Sequence, residues 1–92
     1  MSSMKHVNIK IFGEVQGVGF RDATYWKARK SQIAGFVMNE PDGSVYVEAE
    51  GDEDTLKEFV AWCAKGPFPA RVERIKTEWT EPGGKFTGFR IG

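Results

Sequence analysis

The order in which two kinds of hydrophobic spacing follow one another is the feature that most restricts how this chain can fold. Apolar residues occupy every second position at Val7, Ile9 and Ile11, as in a strand with one buried face. After this strand come a stretch with helical spacing, two stretches with strand spacing, a second helical stretch and a last stretch with strand spacing. The predicted order is therefore β-α-β-β-α-β, with room for a short extra strand near the end.

Two helices are predicted from residues that share one face. The first runs from about Phe20 to Ser31, because positions 20, 24 and 28 lie four residues apart. The second has the clearest helical spacing in the chain, given by Leu56, Phe59, Val60 and Cys63. Asp52 is expected to cap its first turn, and Gly66-Pro67 is expected to end it.

The remaining strands follow from short alternating segments. Residues 35–38 and 45–49 flank a Pro-Asp-Gly turn, so they are predicted to form a hairpin. Residues 74–79 predict the fourth strand, and residues 86–91 predict a short final strand. The expected fold class is an α+β, ferredoxin-like sandwich with a mainly antiparallel sheet of four to five strands and two helices on one face.

Composition excludes several classes of protein. Hydrophobic residues make up 40% of the 92 residues, which is too many for a disordered chain, and residues 1–92 are expected to form a single domain. No segment approaches the roughly 18 consecutive apolar residues that cross a bilayer, and no secretory signal is visible, so a cytoplasmic protein is expected. One cysteine and one histidine cannot supply an internal disulfide or a structural zinc site.

Catalysis by these two residues is not expected. His6 lies near an N-terminus that we expect to fray, and Cys63 lies on the apolar face of the second predicted helix. Trp62 and Trp79 are interpreted as packing residues, and helical spacing gives no account of Trp26. The chemistry of this chain is therefore expected to depend on other side chains.

The charge distribution favours a small anion over a nucleic acid. The net charge is zero, from 13 basic and 13 acidic residues, which is far from the basic footprint of a nucleic-acid-binding domain. That alternative would need exposed aromatic side chains on the central strands, and no motif of the RNA-binding type is present. Around the first predicted helix, however, Arg21, Lys27, Arg29 and Lys30 outnumber Asp22, so a small anion is favoured there.

A glycine-rich segment joins the first strand to the first helix. Gly17 and Gly19 let successive backbone N–H groups approach a ligand without obstruction by a Cβ. The unpaired N–H groups and the dipole of the following helix favour an anion, and Arg21 lies in its first turn. These residues leave two interpretations open, an anion site or a tight turn followed by a surface arginine. The segment matches neither the P-loop nor the dinucleotide-binding signature.

Two motifs resemble those of the acylphosphatase family. Residues 13–21, GEVQGVGFR, match every fixed position of its G-x-V-Q-G-V-x-F-R signature. Residues 35–39, GFVMN, resemble its G-(F/Y/W)-(A/V)-x-N motif, and Arg21 and Asn39 are 18 residues apart, as the family pattern requires. The resemblance extends from about residue 7 to residue 91.

This resemblance implies a hydrolase that splits the carboxyl–phosphate anhydride of acyl phosphates without a metal or an organic cofactor. It implies two catalytic residues, Arg21 to hold the phosphoryl group and Asn39 to position the attacking water. The implied phosphate-binding loop consists of Gln16, Gly17, Val18, Gly19, Phe20 and Arg21. The expected partners are a small-molecule acyl phosphate and inorganic phosphate, the latter as product and inhibitor. No nucleic acid or membrane is expected, and a monomer is the default state.

The chain departs from the common family text at two places beside the first helix. Ser31-Gln32 replaces Leu-Gly, and without a glycine to adopt the left-handed C-cap conformation the helix end is expected to fray or to extend. Asp22 replaces an uncharged or aromatic residue, and it is expected either to pair with a lysine or to oppose an incoming phosphate. A binding module that keeps the anion loop without useful turnover therefore stays open as an alternative function.

Overall fold

Five strands and two helices alternate in the order that the hydrophobic spacing predicts. The computed structural model describes residues 3–92. Its elements are β1 (Met4–Glu14), α1 (Phe20–Lys30), β2 (Ala34–Asn39), β3 (Val45–Asp52), α2 (Glu53–Lys65), β4 (Arg71–Thr80) and β5 (Phe89–Ile91). The strands form one sheet in the order β4-β1-β3-β2-β5. The β2–β5 pairing is parallel and the others are antiparallel, so the ferredoxin-like α+β fold is confirmed with a mixed sheet.

The core lies between the two helices and one face of the sheet. Val7, Ile9 and Ile11 of β1 are fully buried on that face, as their alternation predicts. They pair with alternate residues of β3, for example Ile9 with Val47. Phe20, Thr24 and Ala28 are the buried residues of α1, and Leu56, Phe59 and Cys63 are those of α2. Both helices therefore bury the faces that the sequence assigned to them.

The second helix begins and ends where its sequence signals stand. The Asp52 side chain accepts a hydrogen bond from the Thr55 N–H at 3.2 Å, which caps the first turn. Gly66 follows the last residue of the helix with a φ of 73°. Burial raises the pKa of the Cys63 thiol, which disfavours the thiolate. Cys63 is therefore a core residue, as expected.

The end of α1 differs from both expectations for Ser31-Gln32. The helix ends at Lys30, and Gln32 adopts a left-handed φ of 58° that leucine-sized side chains rarely take. The N–H groups of Gln32 and Ile33 donate to the carbonyls of Arg29 and Ala28 at 3.1 and 2.9 Å. This is the hydrogen-bond pattern of a Schellman motif, with glutamine where glycine is favoured. The helix therefore stops sharply, and Gln32 carries the backbone strain.

The prediction that His6 lies on a frayed terminus is wrong. His6 belongs to β1 and is only 8% exposed, on the face of the sheet opposite the helices. Its Nδ1 lies 2.8 Å from a carboxylate oxygen of Glu50, and its Nε2 lies 2.8 Å from Oδ1 of Asn8 and 3.2 Å from Glu48. The strand pairs with β3 from Met4 onward, so cross-strand contacts order this segment.

A segment between β4 and β5, residues 81–88, crosses this open face and is termed the strap. The Gly83 N–H donates to Glu50 at 2.7 Å, and the Phe86 ring stacks on His6 with 6.0 Å between centroids. Burial alone would raise the pKa of Glu50, but hydrogen bonds from Gly83 and His6 outweigh it and lower this pKa. Ionised Glu50 thus stabilises the fold at neutral pH, and that contribution is lost as the pH falls through the lowered pKa.

The final strand is shorter than the predicted span of residues 86–91. It begins at Phe89, because Phe86 belongs to the strap and packs over the open face instead of pairing with β2. Phe89 is 8% exposed and contributes to the core. The strap thus determines that β5 starts at Phe89, beside Gly35 of β2. The last residue of β5, Ile91, then lies beside Val37.

The strain at Gln32 predicts a stabilising substitution. Gln32→Gly removes a left-handed penalty of about 1–2 kcal/mol, and the extra freedom of glycine in the unfolded chain offsets about 0.5–1 kcal/mol of it. We expect the free energy of unfolding in urea to rise by about 0.5–1 kcal/mol with an unchanged m-value. Gln32→Ala keeps the strained φ and is the matched control. Equal unfolding midpoints for the two variants would contradict this account.

Candidate active site

One cavity forms where the loop after β1, the start of α1 and the ends of β2 and β5 meet. Its volume is about 290 Å³, and it is termed the loop pocket. The residues that line it are Val15, Gly17, Gly19, Phe20, Arg21, Asp22, Asn39 and Ile91. Chain segments that are distant in sequence therefore share a single site.

The loop that lines this pocket has backbone N–H groups without an acceptor among residues 3–92. Gly17 and Gly19 have φ angles of 75° and 80°, a conformation that favours glycine. Gly19 is the N-cap of α1 and makes no side-chain capping hydrogen bond. Residues 3–92 supply no acceptor for the N–H groups of residues 16–22. These unpaired donors at the positive end of a helix dipole make the loop pocket suited to an anion.

Three side chains hold the loop in this shape. Val15 and Phe20, which flank it, are each 1% exposed and anchor its two ends in the core. The Gln16 amide donates to the main-chain oxygens of Glu40 and Ser44 at 2.8 and 2.9 Å. Since these two acceptors belong to the turn between β2 and β3, Gln16 fastens the loop to the segment that follows Asn39.

Arg21 is held by the end of the chain that follows β5. Its Nη1 donates to the main-chain oxygen of Gly92 at 2.9 Å, and the Gly92 N–H donates to Val37 at 2.6 Å. No Asp or Glu side chain of residues 3–92 forms an ion pair with Arg21. One N–H of the guanidinium is thus used for anchoring, and the others can meet a ligand.

Asn39 contributes a buried acceptor to the same pocket. It is the last residue of β2, where it pairs with Val45 of β3. Its side-chain oxygen is buried and accepts no hydrogen bond from residues 3–92. Leaving such an acceptor unpaired costs about 1–3 kcal/mol, so this geometry calls for a donor from water or from a ligand.

The structure brings most of the predicted site residues together. Gly17, Gly19, Phe20, Arg21 and Asn39 line the loop pocket. Two loop residues do not line it, since the Gln16 side chain turns toward the β2–β3 turn and Val18 packs partly against the core. Their main-chain N–H groups still belong to the loop.

Sequence reasoning missed two contributors, Ile91 and Gly92. Ile91 lies 70 residues after Arg21, and it reaches the pocket only because β5 pairs in parallel with β2. No local pattern signals this contact. Asp22 also lines the pocket, and the expectation that it pairs with a lysine is wrong, because no cation of residues 3–92 bonds to it.

The tryptophans lie outside the pocket lining. Trp62 stacks on Phe59 and meets Phe20 edge-on with 6.0 Å between centroids, so it supports the start of α1 from the core side. Trp79 is 40% exposed on β4. Trp26 is exposed on α1, where its ring meets Tyr25 edge-on and lies 5.7 Å from the Arg29 guanidinium.

Residues 3–92 contain neither a cluster of metal-ligating side chains nor a membrane-spanning helix. No group of three His, Cys, Asp or Glu residues is arranged to hold a metal ion. Neither helix is long and apolar enough to cross a bilayer. The loop pocket is therefore the site that combines a fixed cation, unpaired donors and an unpaired acceptor.

Comparison with known proteins gives the same family as the motifs. The acylphosphatase family model matches residues 7–91. An acylphosphatase of Salinibacter ruber is 45% identical over 87 residues, which are 95% of this chain and 92% of that protein. One of Thermotoga maritima is 47% identical over 81 residues, covering 88% and 90% of the two chains.

A solved structure agrees as well. The crystal structure of acylphosphatase from Bacillus subtilis superimposes with a TM-score of 0.92 at 34% identity, over 96% of this chain and 98% of that one. Sequence, fold and matched length therefore show that this chain belongs to the acylphosphatase family, hydrolases that act on the acid anhydride of acyl phosphates.

Proposed function

We propose that this enzyme hydrolyses an acyl phosphate by in-line attack of a water that Asn39 positions on a phosphoryl group held by Arg21 and the loop N–H groups of residues 16–21. The observation that carries the proposal is Asn39, which lines the same pocket as Arg21 and whose buried side-chain oxygen lacks a donor within residues 3–92. A phosphoryl binder and a water acceptor on one small cavity are the two parts that this reaction requires.

Binding of the phosphoryl group rests on charge-assisted hydrogen bonds. In this proposal the Arg21 guanidinium offers a planar fork to two oxygens, and the N–H groups of residues 16–21, for which residues 3–92 supply no acceptor, are the further donors along the glycine-lined wall of the pocket. Each such bond contributes about 1.5–3 kcal/mol. Because the donors are fixed before the substrate arrives, they stabilise charge in the transition state without reorganising.

The attacking water is oriented, and it is not deprotonated by a side chain. The Asn39 amide cannot act as a base at neutral pH, but its oxygen accepts a hydrogen bond from the water and aims a lone pair at phosphorus. The water's proton passes to a phosphoryl oxygen of the substrate in this proposal. The P–O bond to the acyl group breaks, and the leaving carboxylate keeps the bonding electrons.

The leaving group explains why so few catalytic side chains suffice. A carboxylate is a weak base, so its departure from phosphorus needs no strong general acid. Positioning and electrostatic stabilisation then supply most of the rate enhancement. Inorganic phosphate is both product and competitive inhibitor in this scheme, because it fits the donors that hold the phosphoryl group.

We also propose that the enzyme works as a monomer in the cytoplasm on small-molecule acyl phosphates. The fold uses no disulfide among residues 3–92, and its one cysteine, Cys63, is buried. All the groups assigned to binding and attack come from one chain. The proposal therefore needs neither an oxidising compartment nor a second subunit.

Release of phosphate from acetyl phosphate and benzoyl phosphate, without added metal, tests turnover directly. We expect rates far above the buffer hydrolysis rate, with inorganic phosphate raising KM and leaving kcat unchanged. A binding module without turnover predicts phosphate binding by calorimetry and a hydrolysis rate equal to that of buffer. That pair of results would show that the protein is a binding module and not an enzyme.

Asn39→Ala tests the role of the water acceptor. We expect kcat to fall by about 100-fold, because the water loses its orientation, while the inhibition constant of phosphate changes little. Asn8→Ala is the control, since Asn8 lies on the open face of the sheet beside His6 and not in the loop pocket. An unchanged kcat in Asn39→Ala would refute the positioning role.

Arg21→Lys tests the planar fork. The variant keeps the positive charge but loses the paired N–H groups, so we expect kcat/KM to fall by about 100-fold or more and phosphate inhibition to weaken. Arg29→Lys in the last turn of the same helix is the matched control, because Arg29 does not line the pocket. Comparable activity of the two variants would show that charge alone is sufficient.

A further inference from the structure

We propose that Asp22 selects among acyl phosphates by the charge of the acyl group. It favours acyl groups that carry an ammonium and disfavours those that carry a second negative charge. This inference rests on the proposed function, because it assigns the part of the loop pocket that the phosphoryl group does not use.

The carboxylate of Asp22 is not used in any contact between side chains. Asp22 is exposed and lines the pocket, and its side chain takes part in none of the hydrogen bonds or ion pairs within residues 3–92. An acidic residue in the first turn of a helix ordinarily interacts with the helix dipole. In the proposed complex, the same end of the helix faces the phosphoryl group. The Asp22 carboxylate and the phosphoryl group therefore both lie in the field of the α1 dipole.

The acyl group meets the remaining walls of the pocket. The phosphoryl oxygens are assigned to Arg21 and the loop N–H groups, and the water to Asn39. In-line attack requires the acyl oxygen to leave from the side of phosphorus opposite that water. Of the remaining lining residues Val15 is buried in the core, so the exposed side chains left for the acyl group are Ile91 and Asp22, one apolar and one anionic.

Once a phosphoryl group occupies the pocket, no cation among the lining residues is left to pair with Asp22. Arg21 is the cation among the lining residues, and its free N–H groups are committed to the phosphoryl oxygens. A charge on the acyl group therefore interacts with Asp22 directly. For unit charges about 6 Å apart in a water-like dielectric, the effect on binding is about threefold for each sign, or about tenfold between them.

Three para-substituted benzoyl phosphates of similar shape measure this preference. Para-(aminomethyl)benzoyl, para-ethylbenzoyl and para-(carboxymethyl)benzoyl phosphate place a positive, a neutral and a negative group at the same distance from the anhydride. The measured quantity is kcat/KM for the cationic substrate divided by kcat/KM for the anionic one. Comparing this ratio between variants cancels the intrinsic reactivity of the substrates.

Asp22→Asn is the variant and Asp54→Asn is the control, because Asp54 lies in the first turn of the other helix and outside the pocket lining. We expect Asp22→Asn to lower the ratio about tenfold and Asp54→Asn to leave it unchanged. In the unmodified enzyme, about 0.5 M salt is expected to screen this interaction and to lower the ratio. This measurement does not depend on the folding of a variant.

The outcomes separate this inference from the proposed function. An equal ratio in Asp22→Asn and the unmodified enzyme, or an equal fall in both variants, overturns the role of Asp22 while hydrolysis of the neutral substrate stands. A ratio in the unmodified enzyme that salt does not change overturns it as well. Hydrolysis of the neutral substrate at the buffer rate instead overturns the proposed function itself.

Discussion

The structure of the site depends on a row of backbone N–H groups that have no acceptor within residues 3–92. Unpaired donors destabilise a fold where they are withdrawn from water. Contacts at both ends of the loop offset this cost. Val15 and Phe20 are buried, and Gln16 ties the loop to the turn after Asn39. These contacts fix both ends of the loop within the fold.

The parallel pairing of β5 with β2 links this loop to the opposite face of the sheet. Glu50 and His6 hold the strap, the strap determines where β5 begins, and Gly92 after β5 receives the Arg21 guanidinium. Each step is a direct contact between described residues. Packing on the open face, which takes no part in the proposed chemistry, thus helps to set the direction of the arginine in the loop pocket.

Local patterns in the sequence were sufficient for the secondary structure and for part of the site. Alternation placed Val7, Ile9 and Ile11 in the core, and the two motifs placed Arg21 and Asn39 on one cavity. The roles of those two residues stay predictions. The prediction of the core residues succeeded because periodicity shows which face a residue shares with its neighbours.

The failures concern contacts between residues far apart in the chain. His6 is ordered by Glu50 across a strand pair, and Ile91 enters the pocket through a parallel pairing that no spacing rule announces. The prediction for the end of α1 at Gln32 failed for a different reason. Tertiary contacts of Ile33, which is 3% exposed, hold the chain in a sharp turn despite the unfavourable φ of the preceding residue.

The charge of the loop pocket bears on how it can distinguish a transition state from a bound anion. Its lining side chains include one cation, Arg21, and one anion, Asp22, so they carry no net charge. Attraction by net charge would hold substrate and inorganic phosphate alike and would slow product release. Fixed N–H dipoles depend instead on the direction of each oxygen, which changes as the phosphoryl group flattens during transfer. In the proposed mechanism, an electrically balanced pocket with many backbone donors is therefore suited to stabilise the transferring group more than the released phosphate.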